Sequence, residues 1–105
     1  MADAVLPAQV SALVTALSAT VVVAVPSITD PDCAKVDVSV SAMDFQPTVG
    51  DAVIAIPLEA LPTNCRLGGA WVSATDQVTI TFSSEAGNVV GANKNFKFLA
   101  IDCTL

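Results

Sequence analysis

The chain has 105 residues, of which 53% are hydrophobic and 13% charged, and its 4 basic and 10 acidic side chains give a net charge of −6. This length fits one domain, and the apolar content is too high for a disordered chain. The negative charge argues against nucleic-acid binding, and the chain contains no histidine, the residue that general acid–base catalysis uses most often. We therefore expect a single domain that is not an enzyme, with no small-molecule substrate.

The low charge content also predicts assembly. Charged residues make up about half of the roughly 25% that is typical of soluble domains. A small domain with so few charges covers its surface most simply by burying part of it against copies of itself or a partner. The alternative is a monomer that covers itself with serine and threonine. We expect a homo-oligomer.

The N-terminal segment, residues 1–19, differs in pattern from the rest of the chain. Pro7 followed by apolar residues at helical spacing permits a short helix, while the valine and threonine content favours an extended arm equally well. In either form we expect the segment to dock on the domain or on a neighbouring subunit. The apolar residues that would make this contact are Leu6, Val10, Leu13 and Leu17.

The apolar stretch Val10–Val25 could be taken for a targeting or membrane segment. No Lys or Arg precedes it, and serine and threonine interrupt it. A bilayer span needs about 20 mostly apolar residues, and a signal peptide carries a basic region first. We therefore expect neither a secretion signal nor a membrane span.

Residues 20–105 have the pattern of β-strands separated by Pro, Gly, Asp and Asn. The first strand is β-branched and continuous, as expected of a strand covered on both faces. Regularly spaced short strands predict an all-β domain, a single small β-sandwich or jelly roll carrying the N-terminal arm or helix. The six predicted strands are Thr20–Ile28, Lys35–Ala42, Ala52–Leu58, Ala70–Ser73, Gln77–Ser83 and Lys94–Asp102.

Alternation within three of these strands predicts which side chains form the core. Apolar residues alternate with polar ones along each strand, so the apolar row faces inward. In the last strand we expect Lys94 and Lys97 to lie outside. The predicted inward rows are Val36, Val38 and Val40, then Val78, Ile80 and Phe82, then Phe96 and Phe98.

The three cysteines, Cys33, Cys65 and Cys103, are an odd set with no Cys-x-x-Cys pair. Without histidine they do not complete a zinc site. One disulfide plus a free thiol is an open alternative. We expect three buried, reduced cysteines that act as small hydrophobes, as in a protein folded in a reducing cytoplasm.

The acidic and hydroxyl residues show no pattern typical of a metal or catalytic site. Asp30, Asp32 and Asp37 lack the full set of oxygen ligands that calcium needs. Three further carboxylates begin or bound strands, where aspartate serves turns, and neither candidate serine has a base nearby in the sequence. We expect no metal, cofactor or catalytic role for any of them. These residues are Asp44, Asp51, Asp76, Ser73 and Ser83.

Two single residues are candidates for contact with a partner. Trp71, the only tryptophan, is expected to pack in the core, with an interface anchor or a sugar-stacking platform as alternatives. Arg66 lies in a predicted turn, where it either pairs with a partner carboxylate or is solvated. Both stand as candidate interface residues beside the N-terminal segment.

The stretch Gly50–Asp102 has a recognisable order of motifs. It contains Gly50-Asp51-Ala52-Val53-Ile54-Ala55-Ile56-Pro57, then Leu61-Pro62, then Gly69-Ala70-Trp71-Val72-Ser73-Ala74-Thr75-Asp76-Gln77-Val78-Thr79-Ile80-Thr81-Phe82, and finally Asn95-Phe96-Lys97-Phe98. This order resembles small structural proteins of tailed phages, notably cyanophages. Two departures are Asn64-Cys65-Arg66 in place of a glycine-led turn and the displacement of the second proline of a pair to Pro62.

The resemblance implies a virion protein. It implies a capsid cement or decoration protein, a homotrimeric β-sandwich that binds the major capsid protein and stabilises the phage head by bridging capsid subunits. Such a protein lies on the capsid exterior and is assembled in the host cytoplasm. The alternative from another class is a receptor- or glycan-binding module of a phage fibre or head appendage.

Overall fold

The computed structural model describes residues 14–40 and 46–103. These residues form β-strands and no helix, which confirms the predicted all-β class, and the strands make two antiparallel sheets of a small sandwich. No helix in the described part of the chain is long and apolar enough to cross a membrane. The strands are β1 (Val14–Leu17), β2 (Val21–Val25), β3 (Cys33–Ser39), β4 (Ala52–Pro57), β5 (Cys65–Ala74), β6 (Gln77–Ser84) and β7 (Ala92–Asp102).

The longest strand, β7, is the centre of the four-stranded sheet. Along one edge it pairs with β4, and along the other it pairs with β1 and β2, which lie end to end. In this register Leu17 lies opposite Leu99, and Val21 lies opposite Phe96. The second sheet has three strands in the order β3-β6-β5.

The core between the sheets contains the predicted inward rows. Phe82 of one sheet meets Phe96 of the other edge to face, with 6.2 Å between ring centroids, and Phe96 stacks on Phe98. All three rings are fully buried. Lys94, expected outside, belongs to the same row of β7 as Phe96 but lies near the strand's end, where its ammonium is 3.8 Å from the Glu59 carboxylate. The other members of the predicted inward rows that are fully buried are Val40, Val78 and Ile80.

The part of the N-terminal segment that the structure describes is a strand. Val14–Leu17 pairs with the C-terminal end of β7, so these residues belong to the sandwich rather than to a separate arm or helix. The joint between β1 and β2 is closed by Ser18, which is buried. Its N–H donates to the Phe98 carbonyl, and its Oγ accepts the Phe98 N–H, both at 2.9 Å. Residues 1–13, with the predicted contacts Leu6, Val10 and Leu13, lie outside the described residues.

The strand β5 begins earlier than predicted. The region 64–69, where Arg66 was predicted to lie in a turn, contains the start of the strand at Cys65, with a register shift between Leu67 and Ala70. The Thr81 hydroxyl fills this bulge: it accepts the Gly69 N–H at 2.8 Å and donates to the Gly69 carbonyl at 3.1 Å. A Cβ on Gly68 would lie 2.5 Å from that hydroxyl, so glycine is needed there to leave room for it.

The cysteines are free, but the prediction that all three are buried is wrong. Cys33 and Cys103 are exposed, and Cys65 is partly buried. Cys33 lies on the outward row of β3, and Cys103 follows the last residue of β7. Burial raises the pKa of the Cys65 thiol above its ordinary value.

Candidate interaction surfaces

The outer face of the four-stranded sheet is aliphatic at one end. Leu17 of β1 and Ile54 of β4 both lie opposite Leu99 of β7, so the three side chains form a row across the sheet. Ile101, two residues further along β7, lies on the same face. Leu17 is 52% exposed and Ile54 51%. We call Leu17, Ile54, Leu99 and Ile101 the aliphatic stripe.

The same face becomes polar towards the other end of β7. Its outward row there consists of Asn93, Asn95 and Lys97. Val22 of β2 is 61% exposed on this face, so the prediction that the first strand is covered on both faces is wrong for the described structure. Apart from Val22 and the partly buried Ile56, the apolar residues of this face are therefore concentrated in the aliphatic stripe, at the end where β1 and β4 begin.

The outer face of the three-stranded sheet is different in character. Trp71 lies opposite Thr79, which lies opposite Asp37, and the Thr79 hydroxyl donates to the Asp37 carboxylate at 2.6 Å. The Lys35 ammonium lies 5.9 Å from the centre of the Trp71 ring, a cation–π distance. Trp71 is 42% exposed, so its predicted core packing is wrong. The residue follows the bulge of β5, which sets its side chain on the outward row.

Arg66 is part of β5 rather than of a turn. Its guanidinium Nε lies 2.6 Å from the Glu85 carboxylate, and both side chains are more than half exposed. An ion pair this exposed contributes at most about 1 kcal/mol to stability. Because Glu85 already supplies a partner within the chain, the contact of Arg66 with a neighbouring protein stays a prediction.

The carboxylates considered in the sequence serve turns and strand ends. Asp51 accepts the N–H groups of Thr48 at 2.9 Å and Cys103 at 3.1 Å. Asp76 has a φ of 61° in the turn between β5 and β6, a conformation that aspartate tolerates better than most residues. Asp44 lies outside the described residues. Within the described ranges, no group of three or more His, Cys, Asp or Glu side chains could hold a metal ion.

Two cavities lie at the surface of the sandwich. One, of about 320 Å³, lies where β3 ends and β6 begins, and its lining includes Asp37 and Asp76. The other, of about 290 Å³, is an uncharged groove between β4 and β5. We call it the edge groove, because β4 and β5 are edge strands of the two sheets. Its lining consists of Val53, Ile54, Ala55, Leu67, Gly68 and Ala70.

Neither the aliphatic stripe beyond Leu17 nor the edge groove was predicted from the sequence. A signal for both existed: Ala52–Ile56 is apolar without alternation, which is typical of a strand with apolar surroundings on both faces. The sequence does not say which sheet edge this strand occupies, so the groove beside it could not be derived.

The chain was compared with known proteins by sequence and by fold. No protein-family model, curated protein or solved structure matches it.

Proposed function

We propose that the protein is a structural protein of a tailed-phage virion, a capsid cement or decoration protein. In this role it binds the major capsid protein on the exterior of the head and bridges neighbouring capsid subunits. It is assembled in the host cytoplasm, acts as a homotrimer, and uses no cofactor. The resemblance of residues 50–102 to such proteins and the surface of the four-stranded sheet support the proposal.

The observation that carries the proposal is the aliphatic stripe. The outer face of an antiparallel sandwich is normally polar, because one face of each sheet is solvated. Here Leu17 and Ile54 stand about half exposed on either side of Leu99. Contiguous exposed aliphatic side chains mark a contact surface. No charged residue belongs to the stripe, so docking it desolvates no ion.

A second function is favoured by a different observation, the partly exposed Trp71. An aromatic ring beside carboxylate, hydroxyl and ammonium groups can stack on a sugar ring while the polar groups bind its hydroxyls. Asp37, Thr79 and Lys35 supply these groups around Trp71. The second candidate is therefore a glycan-binding module of a fibre or head appendage, with its site on the three-stranded sheet.

The test is co-sedimentation of the purified protein with empty capsids assembled from the major capsid protein encoded by the same phage. Leu17→Thr combined with Ile54→Thr places a β-branched residue at both positions and replaces the two most exposed aliphatic side chains of the stripe. Burying such a side chain fully is worth about 1.5–3 kcal/mol, and about half of each is exposed, so the pair contributes roughly 2 kcal/mol. We expect affinity for capsids to fall about 30-fold.

The matched control is Val49→Thr combined with Val90→Thr, two exposed loop valines outside both sheets. This control should bind capsids like the wild type, and so should Trp71→Ala. Equal binding by the stripe variant and the control would refute the role of the stripe. If wild-type protein ignores capsids but binds glycans, and Trp71→Ala abolishes that binding, the second candidate is correct instead.

A further inference from the structure

The edge groove has the form of an acceptor site for an extended strand. It lies between two edge strands, β4 paired only with β7 and β5 paired only with β6 among the described strands. Its lining is uncharged and includes the small residues Ala55, Gly68 and Ala70. Edge strands normally carry charges or are covered, because their free backbone groups pair with other chains. No charged residue occurs in β4.

The backbone of β4 offers free hydrogen-bonding groups to this groove. The Leu58 N–H donates to Asn95 at 2.9 Å. In an antiparallel pair, every second residue of a strand exchanges backbone hydrogen bonds with its partner strand. Counting back from Leu58, the residues of β4 that bond to β7 include Ile54 and Ile56. The residues between them, Val53 and Ala55, direct their N–H and C=O groups away from β7. On the other side of the groove, the Glu85 N–H donates to the Asn64 carbonyl just before the start of β5. By the same alternation, Leu67 directs its N–H and C=O groups away from β6.

The chain contains a segment suited to this site. Residues 1–13 carry an alternating apolar row, Leu6, Ala8, Val10 and Ala12, and Asp3 is their only charged side chain. In an extended strand such a row lies on one face. Pro7 lies on the other row, and proline is accepted on an edge strand where its missing N–H faces outward. Extended, 13 residues span about 45 Å.

The position of β1 bears on whether residues 1–13 enter the edge groove of their own domain or that of a second copy. Val14 lies opposite Asp102, the last residue of β7, and Ala52 lies opposite Ile101. β1 and β4 therefore run parallel and begin at the same end of the sheet. A segment that continues outward from Val14 leads away from its own domain, whereas entry into its own groove requires it to reverse and cross β7.

We propose that the edge groove binds residues 1–13 of a second copy of this chain, added as a strand to β4. This contact is the one that would join the subunits of the homo-oligomer proposed above, so the inference rests on that proposed function. The contact joins two different surfaces, an arm and a groove, so it is heterologous, and it forms a ring such as a trimer when the rotation between subunits closes. The apolar row of the arm then covers the groove beside β4 and β5.

The test uses the full chain in solution, without capsids. Amide hydrogen exchange is followed by NMR at Val53 and Ala55, with the Ile54 amide, bonded within the sheet, as the internal reference. Leu6→Asp combined with Val10→Asp places two charges on the apolar row. Gln9→Asp combined with Ser11→Asp is the matched control, with the same charge change on the opposite row. Light scattering gives the mass of each protein.

We expect slow exchange at Val53 and Ala55 in the wild type and in the control, both of which should be oligomers. In the apolar-row variant, exchange at these amides should accelerate at least tenfold while Ile54 is unchanged, and the mass should fall to 10.7 kDa. Fast exchange at Val53 and Ala55 in a wild-type oligomer overturns the proposal. Slow exchange in a wild-type monomer also overturns it, because the segment would then occupy its own groove.

An apolar-row variant that stays oligomeric with unchanged exchange overturns the proposal as well, since assembly would then use another surface. None of these results depends on capsids. Failure of the arm-and-groove contact is therefore distinguishable from failure of the virion role, which co-sedimentation of the wild-type protein with capsids tests.

Discussion

Replacing Ser18 by alanine tests whether β1 is an integral part of the sandwich. The Ser18 hydroxyl is the acceptor for the Phe98 N–H at 2.9 Å, in the buried joint between β1 and β2. Ser18→Ala removes the acceptor, and the joint is too deeply buried for bulk water to replace it. Leaving a buried backbone N–H without a partner costs about 1–3 kcal/mol.

This cost predicts a measurable loss of stability. In a domain of about this size, 1 kcal/mol shifts Tm by roughly 4–8 °C, so we expect Ser18→Ala to lower Tm by about 10 °C in thermal unfolding followed by circular dichroism. Ser27→Ala is the matched control. The Ser27 hydroxyl accepts the Gly91 N–H at the same 2.9 Å but at an exposed site, where water replaces it and the change stays within about 0.5 kcal/mol.

Hydrogen exchange at Phe98 provides the second measurement. We expect its amide to exchange faster in Ser18→Ala than in the wild type, because the Ser18 hydroxyl is its acceptor in the described part of the chain. A Tm within 2 °C (about 0.5 kcal/mol) of the wild type, together with slow exchange at Phe98, would refute the reasoning. It would mean that residues 14–18 are dispensable for the sandwich, as a separate arm would be.

Two further predictions concern the bulge and the cysteines. Gly68→Ala should destabilise the fold by about 1–3 kcal/mol, because the new Cβ meets the Thr81 hydroxyl; Gly69→Ala, whose Cβ would lie in open space, should cost less than half as much in urea unfolding, and equal costs would contradict the bulge geometry. Iodoacetamide at pH 8 should alkylate Cys33 and Cys103 of the native protein faster than Cys65, and should reach all three after denaturation without reductant. Burial raises the pKa of the Cys65 thiol, so the thiol loses its proton at lower pH in the unfolded chain than in the folded one. The stability that Cys65 contributes is therefore complete below the ordinary thiol pKa of 9.0 and declines as the pH rises above it. Cys65→Ser should reduce the alkaline loss of stability, and an unchanged pH profile would contradict this assignment.

The strands with clean alternation were predictable because one face of each is buried and the side-chain period is two. Val38 on β3, Val40 just after its end, and Val78, Ile80 and Phe82 on β6 are buried as their sequence pattern requires. These rows depend only on local periodicity and on the burial of apolar surface, and the order of apolar and polar residues along each strand shows both.

The misplaced features depend on contacts between distant residues. β1 was left open between helix and arm because its strand character comes from pairing with residues 99–102 of β7, and nothing within residues 14–17 specifies that partner. Trp71 was expected in the core, because its outward position results from the bulge that Thr81 fills from the neighbouring strand. A bulge changes which row faces outward, so local alternation cannot predict the result.

The amino-acid sequence by itself determined the all-β class, the inward rows of the alternating strands and the scarcity of charge that predicts assembly. Only the tertiary structure decided which apolar residues remain uncovered. Leu17, Ile54 and Leu99 are separated along the chain and become one exposed row because β1 and β4 pair with opposite edges of β7. The edge groove likewise arises where an edge strand of one sheet lies beside an edge strand of the other. Sheet order and register set both surfaces, because they fix which distant side chains share a face.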